Sequence, residues 1–120
     1  MKSKVSVELS RKFQKEFKRL LKKYPSVKSE LAQLSETLQN QPKTGVPLGN
    51  NIYKIRFAIK SKGKGKSGGA RIISYVETEL IGLVENNIIT LLSIYDKAEV
   101  STLTKEEIQT LVEEIQQQKQ

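Results

Sequence analysis

The stretch from Ile52 to Tyr75 constrains the fold more than any other part of the chain. Ile52-Tyr-Lys-Ile-Arg-Phe-Ala-Ile59 is followed by a loop made only of Lys, Gly and Ser, and then by Ala70-Arg-Ile-Ile-Ser-Tyr75. The first run alternates. Tyr53, Ile55, Phe57 and Ile59 share one face of a strand, and Lys54 and Arg56 share the other, because successive strand side chains point to opposite sides. One face can bury while the other presents cations at fixed spacing. From Lys54 to Arg71 there are seven basic residues and no acid, an arrangement suited to holding a polyanion.

Around this pair the rest of the chain falls into elements. Val5 and Val7 alternate with polar neighbours in a short strand, and Ser10 can cap a helix after it. Phe13, Phe17, Leu20, Leu21 and Tyr24 form one apolar stripe at helical spacing, with Arg11, Lys12, Lys15, Lys18, Lys22 and Lys23 opposite. Pro25 stops that helix, and a second one carries Val27, Leu31, Leu34 and Leu38, so the two form a helical hairpin. Residues 40–50, punctuated by Pro42, Gly45, Pro47 and Gly49, read as loop. Glu85-Asn86-Asn87 reads as a turn, and the apolar run Ile88–Tyr95 suits a strand buried on both faces. A capping box, Thr104 with Glu107, and a staple of Leu103 on Ile108 open the last helix.

Charge is segregated as well as abundant. The net charge is +8, and residues 1–76 carry 18 of the 21 basic residues against four acids. Residues 77–120 carry nine acids and three lysines. A basic body with an acidic end is expected of a protein that meets nucleic acid on one surface only. The absence of Cys and His excludes the usual zinc and iron ligand sets, thiol nucleophiles and every His-based dyad, and no cofactor or metal is expected. No apolar run reaches the length of a membrane span and the N-terminus lacks a signal-peptide core. A single cytoplasmic domain over residues 1–120, with no membrane partner, is the expectation.

The glycine loop is not a nucleotide cradle. Dinucleotide and Walker loops both open a helix, whereas strand-like sequence follows Gly69. Lys60, Lys62, Lys64 and Lys66 therefore read as a flexible basic loop, whose alternatives are diffuse phosphate contact and a solvated hairpin tip. Lys54, Arg56 and Arg71 are more informative, because strands fix their directions. With Tyr95 and Lys97 at the end of a neighbouring strand they make a candidate site.

Three segments, taken in order, resemble the HigB-like branch of the RelE/ParE superfamily of bacterial type II toxins. They are Asn51-Ile-Tyr-Lys-Ile-Arg56, Gly63-Lys-Gly-Lys-Ser-Gly-Gly-Ala-Arg71-Ile-Ile, and Leu91-Leu-Ser-Ile-Tyr95-Asp-Lys97 followed by Thr104-Lys-Glu-Glu. The resemblance spans about residues 10–115. It implies an α+β domain: an antiparallel sheet of three to four strands packed on an N-terminal helical hairpin, with a C-terminal helix. It also implies a ribosome-dependent mRNA endoribonuclease that inhibits translation, cutting by metal-independent attack of a ribose 2′-hydroxyl on the adjacent phosphate. The implied partners are the ribosome, mRNA and a cognate antitoxin of helix-turn-helix type. ParE-like relatives share the fold but inhibit DNA gyrase without catalysis. That reading and a basic nucleic-acid-binding domain without activity are the rivals, since fold alone does not assign function.

Carried over by position, Lys54, Arg56, Arg71, Tyr95 and Lys97 match the family's site. Some HigB relatives use histidines, which this chain lacks, so the lysine- and arginine-rich version is implied. Arg56 and Arg71 cannot be bases and would stabilise charge on the phosphorane. Lys54 or Lys97 would take the 2′-hydroxyl proton, and Tyr95 would stack on a base or donate to phosphate. Glu77, Glu79 and Asp96 are alternative bases.

Overall fold

The structure is a computed structural model that describes residues 2–60, 69–99 and 103–118. The chain runs β1 (Lys2–Leu9), α1 (Arg11–Lys23), α2 (Val27–Asn40), β2 (Val46–Gly49), β3 (Ile52–Phe57), β4 (Ala70–Ile81), β5 (Val84–Asp96) and α3 (Lys105–Gln118). The fold is α+β, with three helices and one five-stranded sheet in the order β1-β5-β4-β3-β2.

The sheet differs from the expected three to four antiparallel strands in two ways. First, it is mixed, because β1 runs parallel to β5 from Lys2↔Val84 to Leu9↔Leu91. A parallel pair needs a long connection, and here the two helices and three intervening strands supply it. Second, Val46–Gly49 is an edge strand and not loop. Its loop-like composition is misleading: Pro47 lacks a donor and so is tolerated only at an edge. Asn50 and Asn51 both take positive φ, 52° and 64°, between paired Gly49 and Ile52. Two central residues in that region make a tight hairpin turn whose twist matches the strands.

The turn expected at Glu85–Asn87 lies instead at Gly82-Leu83, between paired Ile81 and Val84. Gly82 has φ 63°, which glycine adopts without a steric penalty. Glu85, Asn86 and Asn87 extend β5, and their polarity is accommodated across the ladder. Thr78 stands opposite Asn87, and its hydroxyl donates to Asn87 Oδ1 at 2.8 Å.

Both faces of the sheet are covered. Phe13, Leu20, Val27 and Leu38 of α1 and α2 pack with Ile55, Phe57, Ile72, Val76, Ile89, Leu91 and Ile94 on one face. On the other, Ile108, Val112 and Ile115 of α3 pack with Ile52, Ile73, Tyr75, Leu92 and Tyr95. β5 is thus buried on both sides, as its unbroken apolar run led one to expect. The expected capping box forms reciprocally, Thr104 N to Glu107 Oε1 and Glu107 N to Thr104 Oγ1, each at 3.1 Å. No helix among the described residues is long and apolar enough to cross a membrane.

Where β1 ends, α1 completes the edge of β5. Ser10 N donates to Leu91 O at 3.1 Å and Ser10 Oγ to Leu92 O at 2.9 Å. Ser10 also caps α1, accepting from Phe13 N. One turn on, Glu16 Oε1 accepts from Ser93 Oγ at 2.8 Å and from Ile94 N at 3.2 Å. These groups lie beside a bulge in β5, where the register with β4 shifts between Ile73 and Ser74. Glu16→Ala would leave both donors without an acceptor, at a cost of about 1–3 kcal/mol. Glu16→Gln keeps an acceptor oxygen and is expected to cost less. Urea denaturation of the two variants measures the difference, and equal losses would remove Glu16 from this role.

Candidate functional site

The register of the central strands brings the expected site residues into one row. Arg56 on β3 is paired with Arg71 on β4, and Arg71 with Tyr95 on β5. Lys54 is paired with Ile73 one step along. Since Ile52 and Ile73 pack toward α3 while Ile55 and Ile72 pack toward α1 and α2, alternation puts Lys54, Arg56 and Arg71 on the α3 face. Opposed side chains on an antiparallel pair stand about 5 Å apart at Cβ, so two cations directly opposite repel. Such a row is costly for folding and favourable for an anion.

The members of the row are not equivalent. Arg56 is exposed, and Lys54 is half-buried. Arg71, expected on an open cationic face, is only 6% exposed, and its Nη1 donates to Ala70 O at 3.0 Å. Its burial and this bond hold it in one direction. Tyr95 is also buried, its ring belonging to the core beneath α3. Its hydroxyl has no hydrogen-bond partner among the described residues, a costly state for a buried donor. Of the two roles expected for Tyr95, stacking on a base is closed to a ring so placed. The hydroxyl oxygen is buried too, so donation to a phosphate requires the side chains over it to move aside.

Lys54 also lines a cleft of about 670 Å³ between the β2–β3 hairpin and α3. Leu48, Ile52, Ile73 and Ile108 give it an apolar lining, with Asn50, Lys105, Glu106, Gln109 and Glu113 as polar and charged neighbours. The cleft was not legible in the sequence, because nothing local says which side of the sheet α3 covers.

Both ends of the basic loop are tied down. Lys60 is exposed, and its backbone N donates to Glu30 Oε2 at 2.7 Å. Glu30 is buried on α2, where its other oxygen accepts from Ser26 Oγ at 2.9 Å. At the other end, Gly69 O accepts from Lys97 N at 3.3 Å. A Cβ at Gly69 would collide with the backbone carbonyl of Phe57, so the strand approach there requires glycine. Lys62, Lys64 and Lys66 lie outside the described residues. Glu30 escaped the sequence reading because its contact spans 30 residues and carries no local pattern.

Lys97 is exposed in a turn following β5 that Asp96 and Glu99 organise. Asp96 Oδ1 accepts from Ala98 N at 2.9 Å, and Glu99 N donates to Asp96 O at 3.0 Å. Through Oδ1, Asp96 thus caps the turn. Glu77 and Glu79 lie about 20 and 26 Å along β4 from Arg71 at the rise of a strand. Neither reaches the row, whereas Asp96 lies beside it, next to Tyr95 at the end of β5. The turn is clamped to α1 by Glu99, whose carboxylate meets Lys23 Nζ at 2.9 Å and Arg19 Nη2 at 3.3 Å. The hydrogen bond with Glu99, and then its charge, raise the Lys23 ammonium above its ordinary value of 10.5.

Comparison with protein-family models, curated proteins and solved structures gives no match for this chain.

Two expectations follow. Glu30→Ala would leave the Lys60 amide and the Ser26 hydroxyl without their acceptor, costing about 1–3 kcal/mol. Its local signature is faster exchange of the Lys60 amide, and unchanged exchange there would dissociate Glu30 from the loop. For Lys23 the folded value is raised, so its pairing with Glu99 contributes below the ordinary value of 10.5 and is lost as pH rises through the raised one. Side-chain NMR titration should show Glu99→Gln moving Lys23 down toward that value; no movement would exclude Glu99 as the cause.

Proposed function

We propose that the protein is the toxin of a type II toxin–antitoxin pair, of the RelE/HigB kind, and cuts mRNA on the ribosome. The observation that carries this reading is the row of Arg56 and Arg71 in opposed register, beside Lys54 and the buried hydroxyl of Tyr95. The element order, a strand and two helices before a run of strands and a final helix, agrees with the resemblance that led to it.

In-line attack by a 2′-hydroxyl builds negative charge on the phosphorane oxygens and on the departing 5′-oxygen. Cations already aimed at those oxygens lower the barrier without reorganising during the reaction. Arg56, exposed, meets the scissile phosphate first. Arg71, held beneath it, supplies fixed charge from the neighbouring strand. Lys54, on the same face, and Lys97, in the clamped turn, are the alternative acceptors of the 2′-hydroxyl proton, a role open only to the neutral amine. The Tyr95 hydroxyl donates to a phosphate oxygen or to the leaving group once RNA binding uncovers it. Diffuse attraction from Lys60, Lys62, Lys64 and Lys66 draws the RNA in and governs salt dependence. A cognate antitoxin of helix-turn-helix type completes the pair.

The test separates chemistry from attraction. On programmed ribosomes saturated with protein, Arg56→Ala or Arg71→Ala should slow single-turnover cleavage by roughly 100-fold or more, the scale of losing one transition-state donor. Thermal melts run alongside, because Arg71 is buried. Replacing any one loop lysine by Ala should leave the saturated rate unchanged and weaken binding by about 1 kcal/mol or less. The assignment fails if the loop lysines control the saturated rate while the arginines change only affinity. Arrest of DNA synthesis with translation intact would instead favour a gyrase inhibitor.

A further inference from the structure

The end of the β4–β5 hairpin away from the arginine row is apolar. Leu80, Ile81 and Leu83 are 70%, 62% and 82% exposed. β3 accompanies β4 only as far as Tyr75, with one further bond from Val76 N to Asn51 O at 3.0 Å. From Glu77 to Ile81, β4 pairs with β5 alone among the described residues. Its second edge therefore presents N–H and C=O groups to solvent, next to large apolar side chains. Natural sheets blunt such edges with charged side chains, proline or a covering loop; this segment has no Lys or Pro, and its only charges are the carboxylates of Glu77 and Glu79.

Alternation specifies what would fit. Tyr75 faces α3, so Glu77, Glu79 and Ile81 share that face. Val76 faces α1 and α2, so Thr78 and Leu80 share the opposite one, where Leu80 stands across from Glu85. A strand laid along this edge meets carboxylate on one side and leucine on the other. A second copy of the chain, paired antiparallel about the middle of the segment, would set Glu79 against Glu79, which is unfavourable.

We propose that this edge receives an extended segment of another polypeptide, with Lys or Arg alternating along one face and apolar residues along the other. Backbone hydrogen bonds to β4 provide the attachment, while Glu79 and Leu80 provide the selection. The chain's net charge of +8 opposes any cationic segment at long range, so selection for one has to be local to these carboxylates.

Short capped peptides alternating Lys with Val, or Glu with Val, serve as probes, followed by NMR on labelled full-length protein. The Lys–Val peptide is expected to bind and to slow amide exchange at residues 77–81, with the Glu–Val peptide roughly tenfold weaker or worse. Glu79→Lys should reverse that order. Leu80→Ser, at an exposed position, should weaken the Lys–Val peptide several-fold without lowering thermal stability. The proposal is overturned by equal affinity for the two peptides, by binding of neither, or by protection that appears at β1 or β2 instead. It is overturned equally if sedimentation shows the protein dimerising through residues 77–81.

Discussion

Burial of β5 on both faces is the constraint from which the rest of the structure follows. Ile89, Leu91 and Ile94 are held by α1 and α2, and Leu92 and Tyr95 by α3. Fully burying a side chain of this kind is worth about 1.5–3 kcal/mol, so several of them fix the strand firmly. A register slip of one residue would exchange the two faces and lose both cores together. The ladder from β5 through β4 to β3 therefore has one permitted alignment. In that alignment Tyr95, Arg71 and Arg56 fall in a row. The site inherits its geometry from the hydrophobic core and needs no rigidity of its own.

That inheritance carries a local cost. Like charges directly opposed across an antiparallel pair destabilise it by roughly 0.2–1 kcal/mol. Arg71 adds desolvation, since it is nearly buried, and its bond to Ala70 O is part of the compensation. The unpaired hydroxyl of Tyr95 is a further cost in the same row. An anion bound at the exposed Arg56 would offset the repulsion between the two opposed arginines.

The sequence made local and periodic features legible. The stripe from Phe13 to Tyr24, the capping box at Thr104 and Glu107, and the alternation around Lys54 and Arg56 appear as expected because each depends on residues a few positions apart. Turns were harder. Glu85-Asn86-Asn87 and Gly82-Leu83 both carry turn residues, and the choice was decided by how far β4 and β5 could keep pairing. β2 was hidden by Pro47 and Gly49, although Asn50-Asn51 was a usable signal for a hairpin. The parallel pairing of β1 with β5, the burial of Arg71, and the contact of Glu30 with Lys60 depend on residues far apart in the chain. No local pattern encodes them.

The segregated charge acquires a spatial meaning on this fold. β4 and β5 are long strands, and a strand the length of β4 spans about 40 Å. The molecule's greatest extent is 46 Å, so their hairpin runs for most of it. At one end lie Arg71, Tyr95 and the turn bearing Lys97; at the other lie Glu79, Leu80, Leu83 and Glu85. Separation of that size exceeds the screening length of about 8 Å at physiological salt several times over. Glu79 and Glu85 therefore do not neutralise the arginine row, and at their own end β1 brings Lys2 and Lys4 into register with Val84 and Asn86. One continuous hairpin thus carries the arginine row and the exposed Leu80, Ile81 and Leu83 so far apart that what binds at one end does not feel the charge at the other.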